Sequence, residues 1–314
     1  MSFISHRLPA LLSLIILLIC VNPVRANLYQ MGDVHQRLIG EPLMHTVVKG
    51  DYFQQLAEQY NVGFLALLAA NPKHDPFLLK IGSQVIIPNQ MLLPFISRKG
   101  IVINLPELRL YYFLPQENKV LVFPVGIGRQ GLSTPLTSTV IGEKRKDPVW
   151  RPTQEMQERH FTQYGKYLAK EVPAGPNNPF GKYALRLGTS EYLIHGSNKR
   201  FGIGMRASSG CIRMYDDDIK WLFDNVPLNT KVRVINQPVK MSYENGDKQL
   251  IEIHQPLTDL EETKGNVIVT KALQRFVGSK REHWQQLLPI IENPHGLVVE
   301  LSGQPKNSAN KKAP

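Results

Sequence analysis

The stretch from residue 100 to residue 126 constrains this 314-residue chain most. Three short runs, at 100–104, 108–113 and 120–126, are rich in β-branched and aromatic residues, and a Pro-Glu turn and a second polar turn separate them. Two consecutive hairpins of that composition predict antiparallel β structure. Glycines and prolines punctuate the chain from there to Phe180. Further short strands are expected at 181–187, 192–195 and 231–235, with one helix at 216–223. The region 99–236 therefore reads as a mainly β domain with one or two helices.

Ahead of it, residues 44–88 form a unit of their own. His45 to Val48 alternate like a strand, and Lys49-Gly50-Asp51 turns it. Leu56, Ala57 and Tyr60 have the spacing of a helix face over 54–60. A second helix over 64–70 stops at Asn71-Pro72, and Val85-Ile86-Ile87 is a strand ended by Pro88. This strand, helix, helix, strand order resembles a LysM module, a small α+β fold. The resemblance rests on the 47–51 stretch, Leu56-Ala57, Tyr60, Asn71 and the closing 81–88 segment. It implies binding of N-acetylglucosamine-containing glycans such as peptidoglycan.

Both ends of the chain read as something other than packed domain. His6 and Arg7 precede an apolar run from Leu8 to Val21, followed by Val24-Arg25-Ala26. That is the layout of a secretory signal, with cleavage expected after Ala26. The run is short for a membrane span, which takes ~20 apolar residues. At the other end, 237–303 is a C-terminal extension with a hairpin at 241–256. An amphipathic helix at 279–291 carries Trp284, Leu287 and Leu288, and a polar, lysine-rich, disordered tail follows at 304–314. Nothing in the extension reads as catalytic.

The net charge is +11, and the signal carries only Arg7 and Arg25 of it, so the exported chain stays basic. A basic secreted protein suits an anionic surface such as a cell wall. No recognition helix or aromatic-basic platform argues for nucleic acid.

Of two cysteines, Cys20 lies in the signal and Cys211 remains alone. A lone cysteine in an oxidising compartment has no intramolecular disulfide partner, and is either a buried inert thiol or a reactive one. Its surroundings favour reactivity. Ser208-Ser209-Gly210-Cys211-Ile212-Arg213 surrounds the thiol with small residues, and the apolar strand Tyr192-Leu193-Ile194 delivers His195 just before Gly196. A thiol attacks a carbonyl only as thiolate, its free pKa being about 8.5, and histidine is the natural base for it. Gly210 clears bulk beside the sulfur so that backbone N–H groups can approach an oxyanion, donors worth about 3–4 kcal/mol in a transition state. A zinc site would want three or four protein ligands, and no CxxC or HxxxH spacing exists, so neither a metal nor another cofactor is expected.

His195-Gly196 followed by the 208–213 segment resembles the signature of the L,D-transpeptidase (YkuD) catalytic domain. Gly126-Ile127-Gly128, Thr134-Pro135, and the 172–179 and 201–206 stretches extend the likeness over 99–236. The resemblance implies a YkuD-type β-sandwich and an acyltransferase of the periplasm acting on peptidoglycan tetrapeptide stems. Cys211 is then the nucleophile and His195 the base. The Gly210 and Cys211 N–H groups hold the oxyanion, and the Gly196 carbonyl orients His195. Arg213 and Ser209 fall at the substrate, Arg213 as a carboxylate binder. Many members carry histidine where this chain has Ser209. The acceptor amine is expected to be the C-terminal lysine of the outer-membrane lipoprotein, on the look of 201–206 and 217–220. A second diaminopimelate (a 3→3 cross-link) or water (L,D-carboxypeptidase or tether hydrolase) are the competing acceptors. A non-catalytic peptidoglycan-binding protein is the competing class.

Overall fold

The computed structural model describes residues 27–245, 248–258 and 265–301; the expected signal and lysine-rich tail lie outside them. The described chain begins as strand β1 (Asn27–Gln30), passes a short β2 (Leu38–Ile39) and builds the small α+β unit. That unit comprises β3 (Leu43–Thr46), α1 (Phe53–Tyr60), α2 (Phe64–Ala70) and β4 (Gln84–Ile87). The first strand lies two residues earlier than the alternation suggested, because Met44 pairs with Ile86 and His45 with Val85. Phe53, Leu56, Leu67, Val85 and Ile87 close a core separate from the rest. Asn71 pins it: its side chain donates to Leu67 O and Ile86 O and accepts from Ile86 N, each at 2.8 Å. One amide thus satisfies backbone groups of both the helix end and the strand.

After β5 (Met91–Leu92), which pairs with β2, come β6 (Gly100–Asn104), β7 (Arg109–Leu114) and β8 (Lys119–Pro124). They form the expected antiparallel meander. Leu108 and Asn118 take left-handed φ of 56° and 51° at its two turns, so the second strand begins at Arg109 instead of Leu108. The chain continues through β9 (Ile127–Gly128), β10 (Thr137–Lys146), α3 (Gln154–Tyr164), β11 (Tyr183–Leu187), β12 (Leu193–His195), β13 (Arg206–Ser208), β14 (Ile212–Arg213), α4 (Asp216–Asn225) and β15 (Lys231–Ile235).

Nine of these strands make one curled sheet in the order β1-β8-β7-β6-β15-β10-β11-β12-β14. The curl is made by β10, whose first residues pair with β15 while Ile141 onward pairs with β11, across a bulge between Ile141 and Glu143. Bulges bend the strand that carries them. Gly142 sits in this one, where a Cβ would lie 2.1 Å from the Gly188 carbonyl oxygen. The curl gathers Ile103, Leu110 and Phe123 of one half with Leu185, Ile194 and Ile212 of the other into one buried cluster, completed by Ile219 and Leu222 of α4. The mainly β, sandwich-like expectation holds, and the fold also contains parallel pairs. The β6–β15, β12–β14 and β9–β13 pairs are parallel. β10 and α3 also occupy sequence read only as punctuated loop.

The last unit packs β16 (Val239–Glu244), β17 (Lys248–Ile253) and β18 (Val298–Glu300) against α5 (Lys271–Val277) and α6 (Arg281–Glu292) through Ile251, Ile253, Leu273, Phe276 and Leu287. It meets the curled sheet through buried charges. Lys240 Nζ lies 2.8 Å from Glu107 Oε2 and 2.9 Å from Glu252 Oε2. Arg109 bridges the same two carboxylates at 3.1 and 3.0 Å, and His254 Nε2 lies 2.6 Å from Glu252 Oε1. Burial pushes both carboxyls up, but the opposing charges, Lys240 foremost, hold them below their usual range. Among the described residues, no helix is long and apolar enough to cross a membrane.

Candidate active site

The two chemical segments of the sequence meet on neighbouring parallel strands. Ile194 lies opposite Ile212 and His195 opposite Arg213, which puts Cys211 in the row of Leu193. Side chains alternate along a strand. Ile194, Ile212 and Met214 therefore enter the core, while His195, Arg213 and Cys211 share the other face. Met214 N donates to His195 O at 2.9 Å and extends the pairing past the short strand.

His195 is buried, with Nδ1 2.5 Å from the Gly196 carbonyl oxygen. A carbonyl oxygen only accepts, so Nδ1 carries the proton and Nε2 presents its lone pair. Phe180 closes the ring's edge, centroids 4.7 Å apart at 62°. Burial above all brings the His195 pKa down to about 3; the Gly196 bond opposes this, and Arg213 adds to it. The Cys211 thiol is partly exposed, and burial pushes its pKa up, against a backbone bond from Leu193 and the Arg213 charge. Both shifts favour neutral imidazole and neutral thiol at rest.

The backbone before Cys211 is set by hydroxyls. Ser208 Oγ accepts from Gly210 N at 3.1 Å and donates to Cys211 O at 2.5 Å. Thr134 Oγ1 accepts from Gly128 N at 2.9 Å and donates to Gly210 O at 2.8 Å. Gly210 has φ 107°, and a Cβ there would lie 2.8 Å from the Tyr192 ring. One expectation changes here. The Gly210 N–H is committed to Ser208 Oγ, which leaves that of Cys211 as the candidate oxyanion donor. Thr134→Val removes both bonds, of which the one to Gly210 O sets the backbone before the thiol and is worth about 0.5–1.5 kcal/mol. The expected result is a roughly 3- to 10-fold lower kcat with KM little changed, measured by steady-state kinetics.

A lid closes over this face. Residues 147–182 leave the β10–β11 hairpin and return to it, carrying α3. Buried Asn178 holds the lid's base, its Nδ2 donating to Pro148 O, Val172 O and Pro173 O at 2.7 to 3.1 Å. Beneath lies a cavity of about 420 Å³ whose walls include Arg129, Trp150, Arg159, Lys199, Ser209 and Arg213. Arg159 of α3 reaches Ser209 Oγ at 3.4 Å and is paired with Glu155 at 3.2 Å. Asp216 Oδ1 accepts from Ser197 N at 3.2 Å and packs on Gly196, fixing the peptide that orients His195. Sequence reasoning names His195, Gly196, Ser209, Gly210, Cys211 and Arg213 as site residues. It gives no role to Thr134, Arg159, Asn178, Ser208 or Asp216. Of these, Thr134, Asn178 and Ser208 lie in stretches that carry the resemblance.

Three family matches follow this layout: the LysM domain over residues 45–88, the L,D-transpeptidase catalytic domain over 98–234 and the L,D-transpeptidase C-terminal domain over 238–301. Together they define the class, a β catalytic domain between a LysM unit and a dedicated C-terminal unit. The chain is 42% identical over 287 residues to the probable L,D-transpeptidase YcfS of Escherichia coli K12, covering 89% of each. It is 41% identical over 282 residues to the probable L,D-transpeptidase ErfK/SrfK of the same strain, covering 87% of this chain and 90% of the relative. To the probable L,D-transpeptidase YbiS of that strain it is 40% identical over 282 residues, covering 87% and 92%. The chain belongs to the L,D-transpeptidase family of enzymes.

Proposed function

We propose that the protein works in the periplasm as an L,D-transpeptidase on peptidoglycan tetrapeptide stems, through a thioester on Cys211. The observation that carries the mechanism is the His195 Nδ1 to Gly196 bond, since it leaves Nε2 as a base on the face that bears the sulfur. Residues 44–88 then serve as the glycan-binding unit, 99–236 as the catalytic unit and 237–303 as the brace behind it. LysM and L,D-transpeptidase domains together support peptidoglycan as the partner.

With thiol and imidazole both neutral at rest, the proton moves as the sulfur attacks. Cys211 Sγ bonds to the carbonyl carbon of the third stem residue while its proton passes to His195 Nε2. The oxyanion takes the Cys211 N–H. The C–N bond to D-alanine breaks, and the leaving amine takes the proton from His195. An acceptor amine then attacks the thioester, giving its proton to Nε2 and restoring the thiol. A thioester keeps enough acyl reactivity to be resolved by an amine without ATP. Arg213 and the arginines of the cavity match a stem that carries carboxylates.

The acceptor we assign is the C-terminal lysine of the outer-membrane lipoprotein, on the likeness of 201–206 and 217–220 to lipoprotein-attaching members. The test incubates the full exported chain with a disaccharide-tetrapeptide, with and without a lysine-ended lipoprotein peptide, and follows products by mass spectrometry. A tripeptide–lysine amide supports this acceptor. A stem-to-stem amide formed in preference would assign 3→3 cross-linking, and tripeptide alone hydrolysis. No loss of D-alanine and no acyl-enzyme would return the protein to the binding class.

The neutral resting pair has its own readout. Burial holds the thiol up, so iodoacetamide labelling of Cys211 is expected to stay slow through neutral pH. It should still be climbing above about 8.5, the free-thiol value. A labelling rate already on a plateau below pH 7 would mean a resting thiolate–imidazolium pair and overturn this sequence of proton moves.

A further inference from the structure

The loop between the two chemical segments is held from both sides. Residues 199–206 join the strand that ends at His195 to the one that leads to Cys211. On the inner side, a Cβ on Gly126 would lie 2.1 Å from Gly202 O, and one on Gly202 would lie 3.0 Å from an Arg213 guanidinium nitrogen. Ile203 is fully buried. On the outer side the loop meets the LysM unit backbone to backbone. Gly204 has φ 69°, and a Cβ there would lie 2.4 Å from Gly63 Cα. Leu65 N, in the first turn of α2, donates to Gly204 O at 3.1 Å, so the loop satisfies a helix N–H that has no partner within the helix. Arg200 and Glu58 pair at 3.0 Å beside this contact.

The LysM unit is in turn tied to the sheet. Asn27, the first residue of β1, donates its side chain to Tyr60 O and Asn61 O at 3.0 and 3.3 Å. β1 itself pairs with β8. The α1–α2 turn is thus clamped between the sheet edge and the loop that lies on Arg213.

We propose that the LysM unit is a positioning element of the active site: through Gly63 and Glu58 it holds loop 199–206 against Arg213, setting the cavity wall on which the stem lies. The inference rests on the stem-binding reading of that cavity. It gives the module an effect on the reaction that needs no glycan.

The test therefore uses the free tetrapeptide, which has no sugar for the module to hold, and the full exported chain. Gly63 has ordinary extended backbone before α2, so Gly63→Val keeps an allowed φ while its Cβ, 3.2 Å from Gly204 Cα, wedges the contact. A reacting group displaced by about 1 Å can cost 10²-fold. We expect kcat/KM for the tetrapeptide to fall at least ~10-fold, mostly through KM, with the thermal melt kept. Glu58→Arg and Arg200→Glu act on an exposed ion pair and should each cost only about 2- to 5-fold. Their combination should restore the wild-type KM, a rescue that general destabilisation would not give.

If wild type does not turn over the tetrapeptide, the functional reading fails but the positioning can still be read. Arg213 beside the thiol favours iodoacetate over iodoacetamide at Cys211, and Gly63→Val should lower that preference. Unchanged tetrapeptide kinetics in Gly63→Val, or in the second arm an unchanged reagent preference, overturns the proposal. Loss of sacculus binding alone would leave the module a glycan anchor only.

Discussion

Cys211→Ala and His195→Gln are each expected to lower D-alanine release at least ~10³-fold, and the double variant to be little worse than either. In the proposed reaction alanine removes the atom that would form the thioester, so no covalent intermediate should accumulate. Glutamine can still donate an N–H to the Gly196 carbonyl, and so fills the buried site that His195 occupies without a bare acceptor. It has no basic lone pair to take the thiol proton. Groups that act as one unit lose their effect together, which is why the losses should not add. Quenched-flow mass spectrometry separates the two: His195→Gln acylates slowly, Cys211→Ala not at all. A double variant whose loss equals the product of the single losses would mean that each residue acts alone.

The second large effect is on stability. Lys240→Met leaves Glu107 and Glu252 facing one another in a dry interface with Arg109 alone between them. Removing one partner of a buried charge cluster costs about 3–5 kcal/mol. The expected result at pH 7 is a markedly lower melting temperature and protease cleavage near residue 237, where the C-terminal unit begins. The pH dependence gives the cause. In the wild type the two carboxyls are held low, so their contribution is present above the unfolded carboxylate pKa and lost only as pH falls through the lower folded value. In the variant the uncompensated pair prefers a bound proton, and its folded pKa lies above the unfolded one. Stability should then recover as pH is lowered from 7 toward 5, a range over which these groups leave the wild type unchanged. A variant whose melting point falls with pH in parallel with wild type would show the cluster is not what was lost.

Much of this fold could be read in advance because its strands are short-range patterns. The meander 100–124 alternates and turns within itself, and the helices of the LysM unit carry their apolar faces in their own residues. What pairs with what could not be read. The parallel β6–β15 pair joins Ile101 to Val232, and no local period records a partner that distant. β10 is hard to read because its charged run Glu143, Lys144, Arg145 and Lys146 looks like loop. α3 buries no residue, so the lid helix has no apolar stripe to announce it. The chemistry divides in the same way. Cys211 and His195, the proposed nucleophile and base, would act through their own side chains and stand out by type. Ser208, Thr134 and Asp216 act on backbone groups that only the folded chain brings near. Glu107, Lys240 and Glu252 read as ordinary surface charge until the interface closes on them.

The lid described above is also a separable cassette. Lys146 pairs with Tyr183, and Asp147 N donates to Lys182 O at 2.7 Å, so the segment leaves and rejoins the hairpin at one rung. Its own residues, Asn178 foremost, hold its base together. Evolution or a protein engineer could exchange 148–181 between relatives by splicing at that rung. The graft would carry Trp150 and Arg159 with it, altering what the cavity admits, while the bond-forming groups on the strands below stay where they are.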